Sequence, residues 1–224
     1  MTIFAMKESV RSIIKRLFGR GVRRSYGQFG EDTIVQVALR GVIGGTYIDV
    51  GAYHPILYSN TYALYCRGWH GFVVDPNHTM SPLYRLLRHR DVFINTAIGC
   101  DCRELYHSFS DGAYNTLDTD EAEKRKKMPY LKYLGSREIE CKSLADVVKE
   151  NGIRHIDFLN VDVEGQDLAV LKSHDWSVPP SVIAVEDEIF DPKNPEHSEL
   201  FRFLSEKGYT MFGFSGLTCV WKKV

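Results

Sequence analysis

The 224-residue chain is 44% apolar and 25% charged, with a net charge of −1; this is the balance of a globular domain long enough to bury a full core. Charge is uneven: the first 24 residues hold seven Lys/Arg against Glu8 alone, a surplus of +6 that leaves −7 on the remainder. A weakly acidic body excludes a general nucleic-acid binder, and no apolar run approaches the ~20 residues of a membrane span.

The five cysteines, at 66, 100, 102, 141 and 219, form no Cys-x-x-Cys pair. A zinc site is therefore not expected, and a reduced cytoplasmic setting is. The N-terminus lacks the apolar block and cleavage site of a secretory signal. Residues 3–18 instead place Ile3, Met6, Val10, Ile13, Ile14, Leu17 and Phe18 at helical spacing between basic residues. Such a cationic amphipathic helix, assigned to residues 1–24, either touches an anionic membrane surface or docks its stripe on the body or a second subunit.

Glycines 19, 21 and 27 then interrupt the chain before Ser25 to Asp32 and a helix through Thr33–Leu39. Glu31 and Asp32 fall in its first turn, where they suit the helix dipole. Tyr47–Val50 reads as a strand ending at Gly51, with Asp49 one residue inside its carboxyl end. Ligands bind at such ends in open α/β sheets, and Gly51 permits a tight turn and a close approach to a ligand. A helix over 60–67 capped by Ser59 follows, then a strand over 71–75 that again ends in an acid, Asp75. Strand, glycine turn, helix, strand and terminal carboxylate form a βαβ unit that holds a nucleoside, with the second acid on its ribose. The turn has a single glycine followed by Ala52, Tyr53, His54 and Pro55. This is not the Gly-x-Gly-x-x-Gly of a pyrophosphate site, so a nucleoside cofactor without a pyrophosphate is favoured.

Further along, a basic helix ends near Arg90, and a strand is predicted over 92–95 with a close at Ala97–Gly99. Leu105–Phe109 reads as a short edge strand. The stretch 111–135 turns polar and charged, as either a solvated helix face or a substrate lid. A strand at 139–141 and a helix over 144–151 capped by Ser143 come next. Ile156 to Gly165 is a second strand ending in carboxylates, Asp162 and Glu164, and Val182–Val185 runs into Glu186, Asp187 and Glu188. Neighbouring strand ends would crowd these acids, raising pKa values or recruiting a cation; Asp187 is expected to face solvent. A helix over 196–207 leads to two runs, 209–214 and 218–223, that read as an antiparallel pair.

Together these motifs resemble the FkbM-type S-adenosylmethionine-dependent methyltransferases. The matching segments are Ser25–Asp32, Asp49–Ala52, Ser59–Thr61, Gly68–Gly71, Asp75–Asn77, Ile156–Gly165 and Leu171–Trp176, spread over residues 25–224. The resemblance implies an α/β, Rossmann-like class I methyltransferase sheet of seven mostly parallel strands, with a C-terminal antiparallel hairpin and helices on both faces. It implies methyl transfer from S-adenosyl-L-methionine to a hydroxyl of a sugar, glycan or natural-product acceptor. By position, Asp49, Gly51 and Ala52 would face the cofactor's amino-acid end, Asp75 its ribose, Ala97 and Ile98 its adenine, and Asp162 the methyl donor. Gln28, Tyr53, Ser59, Asn60, Thr61, Pro76 and Asn77 complete the expected cofactor site. A carboxylate-rich crevice suits a cationic cofactor without phosphates.

Two other classes remain. An NAD-dependent oxidoreductase would need the missing glycines and a Tyr-x-x-x-Lys pair; a non-catalytic nucleoside-binding protein would share the fold alone. Tyr53, Tyr58, Tyr114 and Tyr130 are candidates to stack on a sugar ring. For the base, His54 follows the cofactor turn directly, with Asp32, Asp162 or Glu164 to orient it. In the rival scheme Asp162, Glu164 and Glu186 hold Mg²⁺, which acidifies the acceptor hydroxyl.

Overall fold

The computed structural model describes residues 24–99, 103–163 and 165–224. The amphipathic helix expected near the N-terminus lies almost wholly outside these, as does Glu164. Among the described residues no helix is long and apolar enough to cross a membrane.

In chain order the main elements are α1 (Glu31–Ala38), β1 (Thr46–Val50), α2 (Tyr62–Tyr65), β2 (His70–Val74), α3 (Ser81–Leu87), β3 (Val92–Ile94), β4 (Ala97–Ile98) and β5 (Arg103–Phe109). They continue with α4 (Thr119–Arg125), β6 (Tyr133–Lys142), α5 (Leu144–Glu150), β7 (Phe158–Val161), α6 (Asp167–Lys172), β8 (Val182–Glu186), α7 (Glu199–Glu206), β9 (Tyr209–Ser215) and β10 (Thr218–Lys223). Seven strands form one sheet in the order β3-β2-β1-β7-β8-β10-β9. The first five of these pair in parallel, and β10 runs antiparallel between β8 and β9. The chain winds outward from β1 to β3 and returns to β7 on β1's other side, so a topological switch lies between β1 and β7, where such sheets open a crevice.

Both faces of the sheet are covered, because its central strands β1, β7 and β8 are buried at nearly every position and mostly apolar, Asp49 and Asn160 being the polar exceptions among the buried positions. Ile183 and Val185 of β8 join a core with residues of α5, α6 and α7. Val182 and Ala184, pointing the other way as a period of two requires, join Val35, Ala38, Leu64 and Tyr84 on the face of α1, α2 and α3.

Two boundaries differ from the sequence reading. Residues 105–109 do not edge the main sheet: β5 pairs antiparallel with β6, which is ten residues long and takes β4 on its other side. These three strands form a separate small sheet. The 111–135 stretch between β5 and β6 is not merely a solvated run. Phe109, Ala122 and Leu131 are buried together with Tyr114, Met128 and Tyr133 packed against them. Helix α2 is also shorter than expected, because Asn60 and Thr61 spend their side chains on β7 and β1 and Gly68 turns the chain at φ 91°.

Candidate active site

A cleft of about 840 Å³, counting its open mouth, lies over the carboxyl ends of β1, β2, β4 and β7 and beneath the loop that follows β5. Of the expected cofactor residues, Gln28, Gly51, Tyr53, Asp75, Pro76, Ala97, Ile98 and Asp162 line it. Strand pairing brings them together: β2 and β7 flank β1 in register, with Val50 opposite both Val74 and Val161.

Gly51 is at φ 79°, a conformation L side chains rarely adopt. A Cβ there would sit 1.8 Å from the Asp162 carbonyl oxygen. The glycine thus serves a close approach between the two strand exits, at a position that also lines the cleft. Its amide donates to Val74 O at 2.9 Å, tying the turn to β2.

Asp75, 7% exposed, holds the other side. Its Oδ2 accepts the Tyr53 amide at 2.9 Å and its Oδ1 the Asn77 amide at 2.6 Å. Burial raises its pKa from 3.8 to about 6, against the lowering effect of the two amides. Each oxygen accepts one protein N–H and keeps a lone pair, so a pair of vicinal hydroxyls can be bound from the cleft side. Arg137 donates to Pro76 O at 2.8 Å and Asn95 to Asp75 O at 2.9 Å, which fix the bend after β2.

The remaining expected cofactor residues stand behind the lining instead of in it. Asp49 is buried and accepts from the Thr61 hydroxyl and from Asn160; burial raises its pKa, opposed chiefly by Arg88. Asn60 donates to Asn160, Ser59 Oγ caps α2 at Tyr62 N, and the Ala52 carbonyl accepts the Tyr84 hydroxyl. Asn77 acts on the cleft through Asp75. Arg88, fully buried, joins this layer: it pairs with Asp91 at 2.6 Å and donates to Pro55 O, Ser59 Oγ, Tyr47 OH and Thr61 Oγ1. The sequence reading missed it, since a basic helix end beside a charged loop looks solvated.

The catalytic candidates separate clearly. His54 does not line the cleft, and its Nδ1 accepts the amides of Ile56 and Leu57 at 3.1 and 3.0 Å. Burial lowers its pKa, so the neutral ring carries its proton on Nε2 and has no lone pair left to act as a base. Asp32 is fully buried and accepts from the Ser25 hydroxyl and the Tyr26 amide; it shapes a loop and orients no base. Glu31 does the same for Gln28 N and Phe29 N, which sets Gln28 at the cleft. Asp162 alone of the described catalytic candidates lines it. Glu186 is half-buried at the end of β8, opposite Thr218 of β10. Asp187, expected in solvent, is buried and accepts the Ser198 hydroxyl at 2.5 Å, because β10 and the start of α7 close over that strand end. Among the described residues, no three His, Cys, Asp or Glu side chains gather to hold a metal ion.

The small sheet and its loop add Thr96 and Tyr106, which no motif singled out, and Gly112, Asn115, Thr116 and Leu117 from the 111–135 stretch offered as a possible lid. Tyr53 OH donates to Asp111 Oδ1 at 3.2 Å, joining the cofactor turn to this loop. Of the four tyrosines considered for stacking, Tyr53 and Tyr58 line the cleft, whereas Tyr114 and Tyr130 pack against each other at 6.3 Å. Tyr53 and Tyr58 also have φ of 37° and 56°, strained values for non-glycine residues of the kind that cluster at ligand sites.

The donor set fits S-adenosylmethionine. The described lining contains Asp75 and Asp162 but no Lys or Arg, which favours a cationic, phosphate-free ligand over a dinucleotide. Pro76, Ala97 and Ile98 give flat apolar walls for a heterocycle.

No curated protein matches the chain. Residues 49–211, well over half of it, match the family described as the methyltransferase FkbM domain. With its cleft at the carboxyl ends of β1, β2 and β7, and a family match running from Asp49 to Met211, the chain belongs to the FkbM methyltransferase family.

Proposed function

We propose that the protein is an S-adenosylmethionine-dependent O-methyltransferase with a Rossmann-like methyltransferase fold, acting on a hydroxyl of a sugar, glycan or natural-product acceptor. The observation that carries this reading is Asp75. It is a buried carboxylate at the end of β2, clamped by two amides, with acceptor capacity left toward a cleft whose described lining has no Lys or Arg.

In this reading Asp75 accepts hydrogen bonds from the ribose hydroxyls, and Pro76, Ala97 and Ile98 enclose the adenine. The Gly51 turn and Gln28 face the amino-acid end. When bound, the cofactor supplies an electrophilic methyl group on a sulfonium centre. An alcohol is a weak nucleophile at neutral pH, so a chain group must take its proton as it reacts. We assign this to Asp162, which lines the cleft, since the Nδ1 of His54 accepts two amides of its own loop. The rival in which Asp162, Glu164 and Glu186 hold Mg²⁺ makes a different prediction.

The cofactor reading is tested by isothermal titration with S-adenosylhomocysteine and with NAD. Binding of the first alone supports it; binding of NAD alone would make the protein an oxidoreductase. Loss of one CH₂ from glycans or lipids in a deletion strain, found by mass spectrometry, would then identify the acceptor. Absence of turnover on any acceptor would leave a non-catalytic binding protein. With an acceptor in hand, Asp162→Asn lowers the rate by roughly 10²-fold or more, His54→Ala changes it little, and EDTA has no effect. EDTA inhibition reversed by Mg²⁺ would establish the metal scheme.

A further inference from the structure

We propose that the acceptor is amphipathic: its reacting hydroxyl enters the cleft while an attached apolar chain or ring system lies on an uncharged rim made by residues 26–30, 53–59 and 212–218. This rests on the reading of the cleft as the methyl-donor site and adds the class of acceptor.

In a chain that is 25% charged, these three segments contain no Asp, Glu, Lys or Arg. They are contiguous in space. Ser59 N donates to Tyr26 O at 3.1 Å, and Ser215 Oγ donates to Phe29 O at 2.6 Å. The Phe29 ring lies so close to the 215–217 turn that a Cβ on Gly216 would meet it at 2.3 Å. Gln28 and Tyr58 carry the rim into the cleft, because both line it. Of the acids beside the rim, Glu31 and Asp32 are buried on its own backbone amides, while Asp111, bonded to the Tyr53 hydroxyl, and Glu186, opposite Thr218, stand at its two ends.

Phe29, Leu57, Tyr58, Phe214 and Leu217 nevertheless keep 42–58% of their surface in water. Scattered exposed apolar residues are ordinary, but these five lie on contiguous segments, of which Tyr58 reaches the cleft itself, and a connected apolar surface of this kind suits a ligand's apolar part. A bare sugar would set its hydroxyls against a surface with few polar partners, whereas an apolar substituent gains burial there. Continuity with the cleft through Gln28 and Tyr58 assigns the rim to the acceptor rather than to an unrelated partner.

The test uses the full-length protein saturated with S-adenosylhomocysteine and titrated with two probes below micellar concentration, n-octyl β-D-glucoside and methyl β-D-glucoside. The octyl probe is expected to bind at least tenfold tighter, a difference that burial of about two methylenes suffices to produce. The double variant Phe29→Ser, Leu217→Ser should lose that difference while keeping its affinity for S-adenosylhomocysteine. Leu57→Ser, on a separate segment of the rim, should reduce it in case the double variant is unstable. Equal affinity for both probes, or an octyl preference that survives in these variants, overturns the proposal. So does a dimer in sedimentation velocity that the rim variants dissociate, since the rim would then belong to a second copy. Failure of S-adenosylhomocysteine to bind at the outset refutes the cofactor reading instead, and is visible before either probe is added.

Discussion

If Asp75 holds the cofactor ribose as proposed, it couples cofactor affinity to pH, and the size of the coupling follows from its burial. Its pKa rises from 3.8 to about 6 because desolvation at the end of β2 outweighs the amides of Asn77 and Tyr53. An acid whose folded pKa lies above its unfolded value binds an extra proton in the folded state between about pH 4 and 6. Its contribution to stability is therefore present at acid pH and lost as pH rises through that window, by about 3 kcal/mol for a shift near two units. Ribose hydroxyls donate to the ionised carboxylate, so binding expels the proton. With a pKa of about 6, roughly one molecule in ten is ionised at pH 5 and nine in ten at pH 7, which makes affinity for S-adenosylhomocysteine about tenfold weaker at pH 5. Calorimetry at pH 5 to 8 in buffers of different ionisation enthalpy measures both quantities: proton release falls from about one per site at pH 5 to near zero at pH 8. Asp75→Asn should abolish the pH dependence and weaken binding at pH 7 by about 2 kcal/mol. It should also loosen the turn, because an amide has one acceptor oxygen for two facing N–H groups. Affinity that is flat from pH 5 to 8 in the wild-type protein, with no proton released, would refute this reasoning.

Removing Arg88 leaves the buried Asp91 carboxylate without its cation, held only by the Tyr47 hydroxyl and the Gly71 amide, so Arg88→Ala should lower stability by about 3–5 kcal/mol in urea unfolding; a loss under 1 kcal/mol would show the layer to be dispensable. Gly51→Ala places a methyl 1.8 Å from Asp162 O at φ 79°, and calorimetry should show cofactor-product affinity reduced at least tenfold, with stability down by about 2 kcal/mol. Deleting residues 1–22 takes away no motif residue and most of the N-terminal positive charge. Turnover on a soluble acceptor should persist while liposome binding or oligomeric state changes, and a folded, monodisperse but inactive truncation would count against an accessory role for that segment.

Much of the fold was legible because its signals are local. Alternating or continuous apolar runs ending at Gly51, Asp75 and Asp162 mark strands whose carboxyl ends face one crevice, and β1, β2, β7, β8, β9 and β10 fall where those runs do. The β9–β10 pair was readable because a two-residue turn, Gly216–Leu217, joins them. The small sheet was not: β5 and β6 pair across an insertion of more than twenty residues, and nothing in the 103–109 run names its partner.

Within the site, sequence alone indicated which loops surround the cleft, since a strand end that carries an acid after an apolar run opens on the crevice of a parallel sheet. Asp75, Gly51, Gln28 and Asp162 do line it. What each polar side chain does there was decided only in three dimensions. Asp49, Asn60 and Thr61 turn toward Arg88 and Asn160 because a buried carboxylate requires partners that lie up to 111 residues away. His54 turns its Nδ1 to two amides of its own loop instead of to the cleft. Asp187 goes inside because Ser198 meets it there. Hydropathy is a property of neighbours in the chain, whereas the pairing of a buried donor with an acceptor is a property of neighbours in space, and only the folded structure supplies those.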